Sequence, residues 1–94
     1  MPSILVKHTV RDFATWKQLF DAHAKTRQAA GCTGGTLFQD STNPNEVTVV
    51  MNWDSLQKAQ AFAQSADLKA TMEKAGVISQ PQVSFLNESS KFTA

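Results

Sequence analysis

The fold is decided by one stretch, Glu46-Val47-Thr48-Val49-Val50-Met51-Asn52-Trp53. β-Branched and aromatic residues dominate this stretch, as is typical of a β-strand. Apolar side chains occur at both odd and even positions, so both faces of the strand carry apolar groups. A sheet that is apolar on both faces needs cover on both sides, and a two-fold partner copy can supply one of the covers. The stretch therefore predicts helices on one face of a sheet and a second copy of the chain on the other.

Three more strands are predicted around this one, because each candidate is rich in residues that favour extended backbone. They span residues 3–10, 32–40 and 82–87. The turn-forming loop 41–45 joins the second predicted strand to the third as a hairpin. Gly34-Gly35 is interpreted as a bulge, although it also permits close approach of a ligand or a partner backbone.

A long helix is predicted between the first two strands, over residues 12–30. Its apolar residues recur at spacings of three and four, which places them on one helix face. That face consists of Phe13, Trp16, Phe20 and Ala24. Asp12 is expected to cap the start, and Gly31 lies where a left-handed residue would end the helix.

A second helical segment is predicted after the third strand. Asp54 is the expected N-cap, with Gln57 three residues later in the capping-box position. A second cap near Ser65 interrupts the segment, and Gly76 ends it. Its apolar face is formed by Leu56, Ala59, Phe62, Ala63, Leu68, Met72 and Ala75.

The predicted order is β-α-β-β-α-β, which is the split βαβ pattern of ferredoxin-like α+β folds with a four-stranded antiparallel sheet. Right-handed crossovers place both helical segments on the same face of that sheet. A chain of 94 residues fits one domain, residues 1–94, with a small core that gains from burial against a partner. These points together predict a homodimer that packs through the sheet face, a dimeric α/β barrel.

The composition excludes several classes of function. Hydrophobic residues make up 41% of the chain and charged residues 18%, as in a folded soluble protein, and no stretch is long and apolar enough for a membrane span. A net charge of +1 gives no basic surface for nucleic acid or an anionic membrane. The N-terminus lacks signal-peptide features, so we expect a cytoplasmic protein. The lone Cys32 excludes an internal disulfide and argues against a metal site.

Several soft motifs run along most of the chain. They are Val10-Arg11-Asp12-Phe13, Trp16-Lys17-x-x-Phe20-Asp21 with Arg27 and Gly31, and Trp53-Asp54 followed by the Ala59–Ala63 helix. In these motifs the chain resembles the dimeric α/β-barrel superfamily, and within it the antibiotic-biosynthesis-monooxygenase-like proteins. The resemblance implies a cavity between sheet and helices, and an activity such as that of cofactor-free monooxygenases, isomerases or cyclases. Histidines that often follow the strand-three Trp in that group are replaced here by Phe62 and Asp67.

Candidate catalytic residues are His23, Arg27 and Asn52. His23 and Arg27 lie one turn apart on the long helix, near the face that meets the sheet. There the imidazole can move a proton while the guanidinium holds a carboxylate or enolate. The alternative is that Arg27 extends to solvent and pairs with Asp21 or Asp12. Asn52, at the end of its strand, can donate to a carbonyl oxygen or instead satisfy loop backbone.

Candidate ligand-binding residues surround that pair. They are His8, Trp16, Phe20, Trp53, Phe62 and Met72. His8 shares parity with Ile4 and Val6 and so points to a covered face, where it is either a hydrogen-bonded core residue or a ligand contact. The aromatic residues and Met72 suit a pocket for an apolar molecule, and they equally suit a packed core.

Three hypotheses about function follow. The first is an enzyme that acts on an aromatic or polyketide-like substrate with no dedicated cofactor. The second is a binder or carrier that uses the same cavity without chemistry, and the third is a structural or interaction dimer whose cavity is filled by side chains. His23 and Arg27 on the inner helix face favour the first two hypotheses, because two polar groups there exceed what packing needs.

Overall fold

The computed structural model describes residues 2–94. Its elements follow the order β-α-α-β-β-α-α-β. They are β1 Pro2–Thr9, α1 Phe13–Ala22, α2 Ala24–Ala30, β2 Cys32–Gln39, β3 Glu46–Trp53, α3 Leu56–Ala63, α4 Ala66–Lys74 and β4 Gln82–Asn87. The predicted ferredoxin-like α+β fold with a four-stranded antiparallel sheet is confirmed, with each predicted helical segment divided in two. Within the described residues, no helix combines the length and the apolar character needed to cross a bilayer.

The four strands form one sheet in the order β2-β3-β1-β4, and every neighbouring pair is antiparallel. In β1 and β3 the residues alternate between the two faces, and the register aligns the buried members, Ile4 with Met51 and Val6 with Val49. These side chains meet the helices and form the core with Trp16 and Trp53. The predicted bulge is confirmed by a register shift between Cys32 and Gly34.

The other side of the sheet, here called the helix-free face, carries the remaining residues of each strand. By the strand register it comprises Ser3, Leu5, Lys7, Thr9, Gly34, Thr36, Phe38, Glu46, Thr48, Val50, Asn52, Gln82, Ser84 and Leu86. Leu5 and Val50 are paired at its centre and are half-buried, while Phe38 and Leu86 are exposed. The helix-free face is thus apolar at its centre and mixed around it.

Two helix boundaries differ from the sequence-based expectations. The long first helix divides at His23, whose backbone N–H is shared between the carbonyls of Leu19 and Phe20, so the turn tightens there. The N-cap of α3 is Ser55 and not Asp54, because the Ser55 hydroxyl accepts the hydrogen bond from the Lys58 N–H at 3.1 Å. The predicted cap at Asp12 is confirmed, since its carboxylate accepts from the Thr15 N–H.

α4 packs loosely on the sheet. None of its residues is fully buried, whereas α1 buries Trp16 and α3 buries Ala59 and Phe62. Its C-terminal end is followed by Gly76, which has φ +82° and accepts a hydrogen bond from the Arg11 N–H at 2.8 Å. That end is therefore fixed to the end of β1, while the start of α4 is held by contacts described below.

Candidate functional site

A cavity lies between the sheet and all four helices. It is lined by Val6, His8, Trp16, Phe20, His23, Arg27, Val49, Met51, Phe62, Leu68, Thr71, Met72 and Ala75. Most of these side chains are aliphatic or aromatic, and the polar exceptions are two histidines, one arginine and one threonine. The cavity is open to solvent on one side, and its volume is about 60 Å³. That is room for a few water molecules, whereas an engineered cavity that binds benzene is on the order of 150 Å³.

An aromatic column forms one wall of the cavity. The Trp16 indole receives the edge of His8 at 5.5 Å between ring centroids and stacks on Phe20 at 4.9 Å. The guanidinium carbon of Arg27 lies 3.9 Å from the centroid of the Phe20 ring, on its other side along the helix. Because Trp16, Phe20 and Arg27 are four and seven residues apart, successive helical turns place them in line. The column therefore ends in a cation.

Arg27 is fixed by backbone and ring contacts, and not by an acid. Its Nη1 donates to the Phe20 carbonyl oxygen at 2.7 Å. No carboxylate within residues 2–94 lies within 4.0 Å of the guanidinium, so the alternative pairing of Arg27 with Asp21 or Asp12 is not formed. Burial lowers the pKa of Arg27, an effect that nearby Cys32 and Asp21 partly offset. The group stays charged at neutral pH, so the cavity has a half-buried cation suited to an anionic ligand group.

His23 sits at the junction of α1 and α2 and faces the start of α4. Its Nε2 lies 3.2 Å from Oδ2 of Asp67, and its ring centroid lies 6.0 Å from that of Phe62. The His23 side chain is 11% exposed, while that of Asp67 is 70% exposed. A carboxylate accepts only, so the neutral imidazole that fits this contact carries its proton on Nε2 and its lone pair on Nδ1. This is the arrangement of a base oriented by an acid.

His8 is the third polar side chain of the cavity that can exchange a proton. It is 6% exposed, and its Nδ1 is buried with no hydrogen-bond partner in the described part of the chain. Burial lowers the pKa of His8, so the imidazole is neutral at pH 7. A buried polar atom that lacks a partner costs free energy. His8 thus presents an unused hydrogen-bonding group beside the aromatic column.

Most of the predicted site residues meet in this cavity. The structure brings together His8, Trp16, Phe20, His23, Arg27, Phe62 and Met72. Trp53 does not line the cavity but packs behind Phe62 at 4.8 Å between centroids, fully buried. Asn52 lies on the helix-free face, where its Oδ1 accepts from the Ser3 hydroxyl at 2.8 Å. The expectation that Asn52 donates into the same cavity is therefore wrong, because the sheet separates the two.

Sequence reasoning did not identify two polar residues, Asp67 and Thr71, as part of the site. Thr71 lies three residues after Leu68 and four before Ala75, so the helical spacing of α4 carries the signal that Thr71 faces the cavity. Asp67 pairs with His23 across 44 residues of chain. Nothing local in the sequence indicates that contact, since it depends on how α4 packs beside α1.

Sequence similarity assigns the chain to a known family. The model of the family described as antibiotic biosynthesis monooxygenase matches residues 11–74. The matched segment covers more than half of the chain and includes α1, α2, α3, α4 and the two strands between them. The chain therefore belongs to the antibiotic biosynthesis monooxygenase family. Among curated proteins, none shows significant sequence similarity to it.

Solved structures show the same fold. A provisionally named antibiotic biosynthesis monooxygenase from Bordetella bronchiseptica is 20% identical, with a TM-score of 0.79 over 94% of this chain and 96% of that chain. A second, from Deinococcus radiodurans, is 15% identical, with a TM-score of 0.74 over 100% of this chain and 98% of that chain. A monooxygenase from Streptomyces coelicolor, solved with nanaomycin D, is 19% identical, with a TM-score of 0.70 over 99% of this chain and 91% of that chain. At these identities the likeness concerns the fold.

Proposed function

We propose that this protein is a small-molecule enzyme that acts on an aromatic or polyketide-like substrate in the cavity, as a cofactor-free monooxygenase or cyclase does. One observation carries the proposal: a carboxylate-paired imidazole and a half-buried guanidinium open into one cavity walled by aromatic rings. A packed core needs neither group. The family and the ligand-bound monooxygenase from Streptomyces coelicolor support a reaction on a small organic molecule.

The chemistry assigned to the site is proton abstraction with stabilisation of the resulting anion. His23 removes a proton from an acidic C–H or O–H of the substrate through Nδ1, and Asp67 stabilises the imidazolium that forms. Arg27 holds the developing enolate or phenolate oxygen. For an acidic methylene group that is conjugated with a ketone through an aromatic ring, the carbanion then reacts with dioxygen, and CH₂ plus O₂ becomes C=O plus H₂O. Without dioxygen chemistry, the same carbanion can attack a carbonyl group and close a ring.

The walls select the kind of substrate. Trp16, Phe20 and Phe62 offer ring faces and edges to a flat apolar molecule. Arg27 at the end of the column favours a ligand with an anionic or carbonyl group at one end. His8, neutral at pH 7, lines the cavity beside Trp16, and its buried, unpartnered Nδ1 favours a ligand hydroxyl group that reaches it when the covering side chains move. A hydroxylated aromatic compound with an acidic group meets all three conditions.

Binding tests the cavity first. We expect 1-hydroxy-2-naphthoate to bind with saturation in calorimetry, and 1-naphthylmethylammonium, which has a cationic end, to bind at least about ten-fold more weakly. Arg27→Met should weaken the naphthoate by about ten-fold or more. Lys25→Met, which removes an exposed cation from the same helix outside the cavity, is the matched control and should leave affinity unchanged. Equal losses in the two variants would contradict the assignment of Arg27.

Turnover tests the enzyme hypothesis. Anthrone, an aromatic ketone with an acidic methylene, is supplied in air-saturated buffer, with oxygen uptake and quinone absorbance recorded against the uncatalysed rate. We expect His23→Ala to lower the rate by about 10² to 10⁴-fold, the usual contribution of a general base. An active His23→Ala protein would remove His23 from the mechanism. Saturable binding without product from any such ketone would instead indicate the binder.

The helix-free face is assigned to a second copy of the chain. Its paired Leu5 and Val50 are half-buried, and exposed Phe38 and Leu86 extend the apolar surface toward both sheet edges. A two-fold axis there lets each copy cover the other with the same residues. We expect Val50→Lys to give a folded monomer by analytical ultracentrifugation, while Gln60→Lys, on the exposed surface of α3, leaves the mass unchanged. A Val50→Lys protein that sediments like wild type would contradict this interface.

A further inference from the structure

The cavity is smaller than the ligands proposed for it. The cavity opens to solvent on one side and has a volume of about 60 Å³, whereas a cavity that binds benzene is on the order of 150 Å³. A bicyclic ligand fits fully between the sheet and the helices only if one wall moves. The wall formed by the sheet is rigid, because Val6, Val49 and Met51 belong to central strands that are hydrogen-bonded to a neighbouring strand on both sides. The movable wall must therefore be helical.

Among the helices, α4 has the fewest constraints. It supplies Leu68, Thr71 and Met72 to the cavity wall, and all three are only half-buried. α2 also lacks a fully buried residue, but it continues from α1 and its Arg27 is bonded to the Phe20 carbonyl. An element that buries few apolar groups opens at low free-energy cost. The wall that yields to a ligand is thus α4.

The two ends of α4 are held differently. Past its C-terminal end, Gly76 accepts from the Arg11 N–H, and the Ile78 N–H donates to the Thr9 carbonyl at 2.9 Å, so this end is anchored on β1. Near its start, Asp67 reaches His23 at 3.2 Å. In the described chain this is the one side-chain hydrogen bond from α4 to another helix. Gly76, with φ +82°, is the hinge at the anchored C-terminal end of α4. At the N-terminal end of α4, the contact between Asp67 and His23 can break.

We infer that α4 is a lid on the cavity and that the Asp67–His23 contact is its latch, so that Asp67 is a positioning residue for both the lid and the base. The inference rests on the proposed function for the identity of the ligand, but the motion itself does not require one. Breaking the latch frees α4 to move away from Phe62 and Met51, which enlarges the cavity. Closing it brings Asp67 back to His23, so the imidazole is oriented only when the lid is shut.

Other charged groups near the latch do not replace it. Arg27 lies one turn after His23 on the cavity side and is bonded to the Phe20 carbonyl. Lys58 of α3 is paired with Asp54 at 3.6 Å. The Asp67–His23 hydrogen bond has one partner, Asp67, whose side chain is 70% exposed, and such a surface contact shifts an equilibrium by up to about five-fold. A contact of this strength is suitable for a latch, because it favours the closed position of α4 while α4 still opens frequently.

Hydrogen exchange of the ligand-free protein, followed by NMR or mass spectrometry, tests the lid. In wild type the amides of α4 should exchange faster than those of β1 and β3. Asp67→Ala should speed exchange in α4 by up to about five-fold, and Asp21→Ala, which breaks the exposed Lys17–Asp21 pair on α1, should leave α4 unchanged. Because Asp67 also lies in the first turn of α4, His23→Ala and the double variant complete a cycle.

The cycle separates the latch from a local effect on the helix. If the latch exists, each single variant speeds exchange in α4 and the double variant adds little further. Additive effects, or no change in α4 with His23→Ala, would overturn the latch, and α4 amides protected as strongly as β1 would overturn the lid. These outcomes need no ligand. A second experiment measures the rate at which 1-hydroxy-2-naphthoate is released, and it tests the proposed function separately. We expect faster release from Asp67→Ala than from wild type. Equal release rates in these two proteins would overturn the control of ligand entry by the latch.

Discussion

Replacing His8 with Phe should remove one source of acid sensitivity from the fold. Burial lowers the pKa of His8, so the folded protein holds this imidazole neutral below the pH at which the unfolded chain takes up its proton, about 6.5. Stability contributed by the neutral His8 is therefore present above that pH and is lost as pH falls toward the lowered pKa. Phe keeps the aromatic contact with Trp16 and cannot be protonated.

The size of the effect follows from one proton. A difference of one bound proton between unfolded and folded states changes the free energy of unfolding by about 1.4 kcal/mol per pH unit. Between pH 7.5 and pH 5.5 the wild type should lose at most about 1.4 kcal/mol through His8, or up to about 10 °C in Tm for a domain of this size. At pH 7.5 the variant should equal or exceed the wild type by about 1 kcal/mol, since the unpaired Nδ1 is gone.

Urea unfolding followed by circular dichroism, at one protein concentration and at pH 7.5, 6.5 and 5.5, measures both quantities. The informative value is the difference between wild type and His8→Phe at each pH, because all other groups titrate in both proteins. That difference should grow as pH falls. Parallel losses in the two proteins would refute the reasoning that His8 is buried in its neutral form.

Three further changes test the fold. Gly35→Ala should lower the free energy of unfolding by about 2 kcal/mol or more, because a Cβ there collides with the Val50 carbonyl oxygen and lies 2.9 Å from the Met51 Cα. A variant that is as stable as wild type in urea would contradict this geometry. Ser55→Ala should cost about 1 kcal/mol in the same assay while Asp54→Ala costs less, and the reverse order would restore Asp54 as the cap. Asn45→Ala should also cost about 1 kcal/mol, since its Oδ1 accepts from the Phe13 N–H at the start of α1; no loss would show that water replaces it.

Local patterns in the sequence predicted most of the fold. The bounds of β3 and β4 match the expectation because β-branched runs, turn residues and Pro81 mark them. Gly31 and Gly76 end their helices with positive φ, as expected of a C-terminal glycine. The division at His23 was not predictable, because Ala22 and Ala24 favour an unbroken helix. The helix divides where the turn tightens, since the His23 N–H is shared between the carbonyls of Leu19 and Phe20.

The site residues that belong to one helix could be predicted from the helical periodicity of the sequence. Trp16, Phe20, His23 and Arg27 share a helix, so spacing alone places them together. The error at Asn52 has a physical reason: adjacent residues of a strand face opposite sides, so Asn52 and Trp53 cannot both face the helices. The alternation of side chains excludes one of these two residues from the helix side of the sheet. Only the packing of the folded chain shows that the excluded residue is Asn52. Contacts between separate elements, such as Asp67 with His23, lie beyond any local pattern.

The position of β1 in the sheet has a consequence for how the chain folds. β1 is a central strand, and its neighbours β3 and β4 begin more than 40 and about 80 residues later, so no hairpin can complete it. Loops of that length must close before their contacts stabilise anything, which slows folding. Only the β2–β3 hairpin can form early. During synthesis β1 is made before β4, its partner in the sheet. Until β4 has been made, the backbone hydrogen-bonding groups along that edge of β1 stay unpaired and can bind other chains.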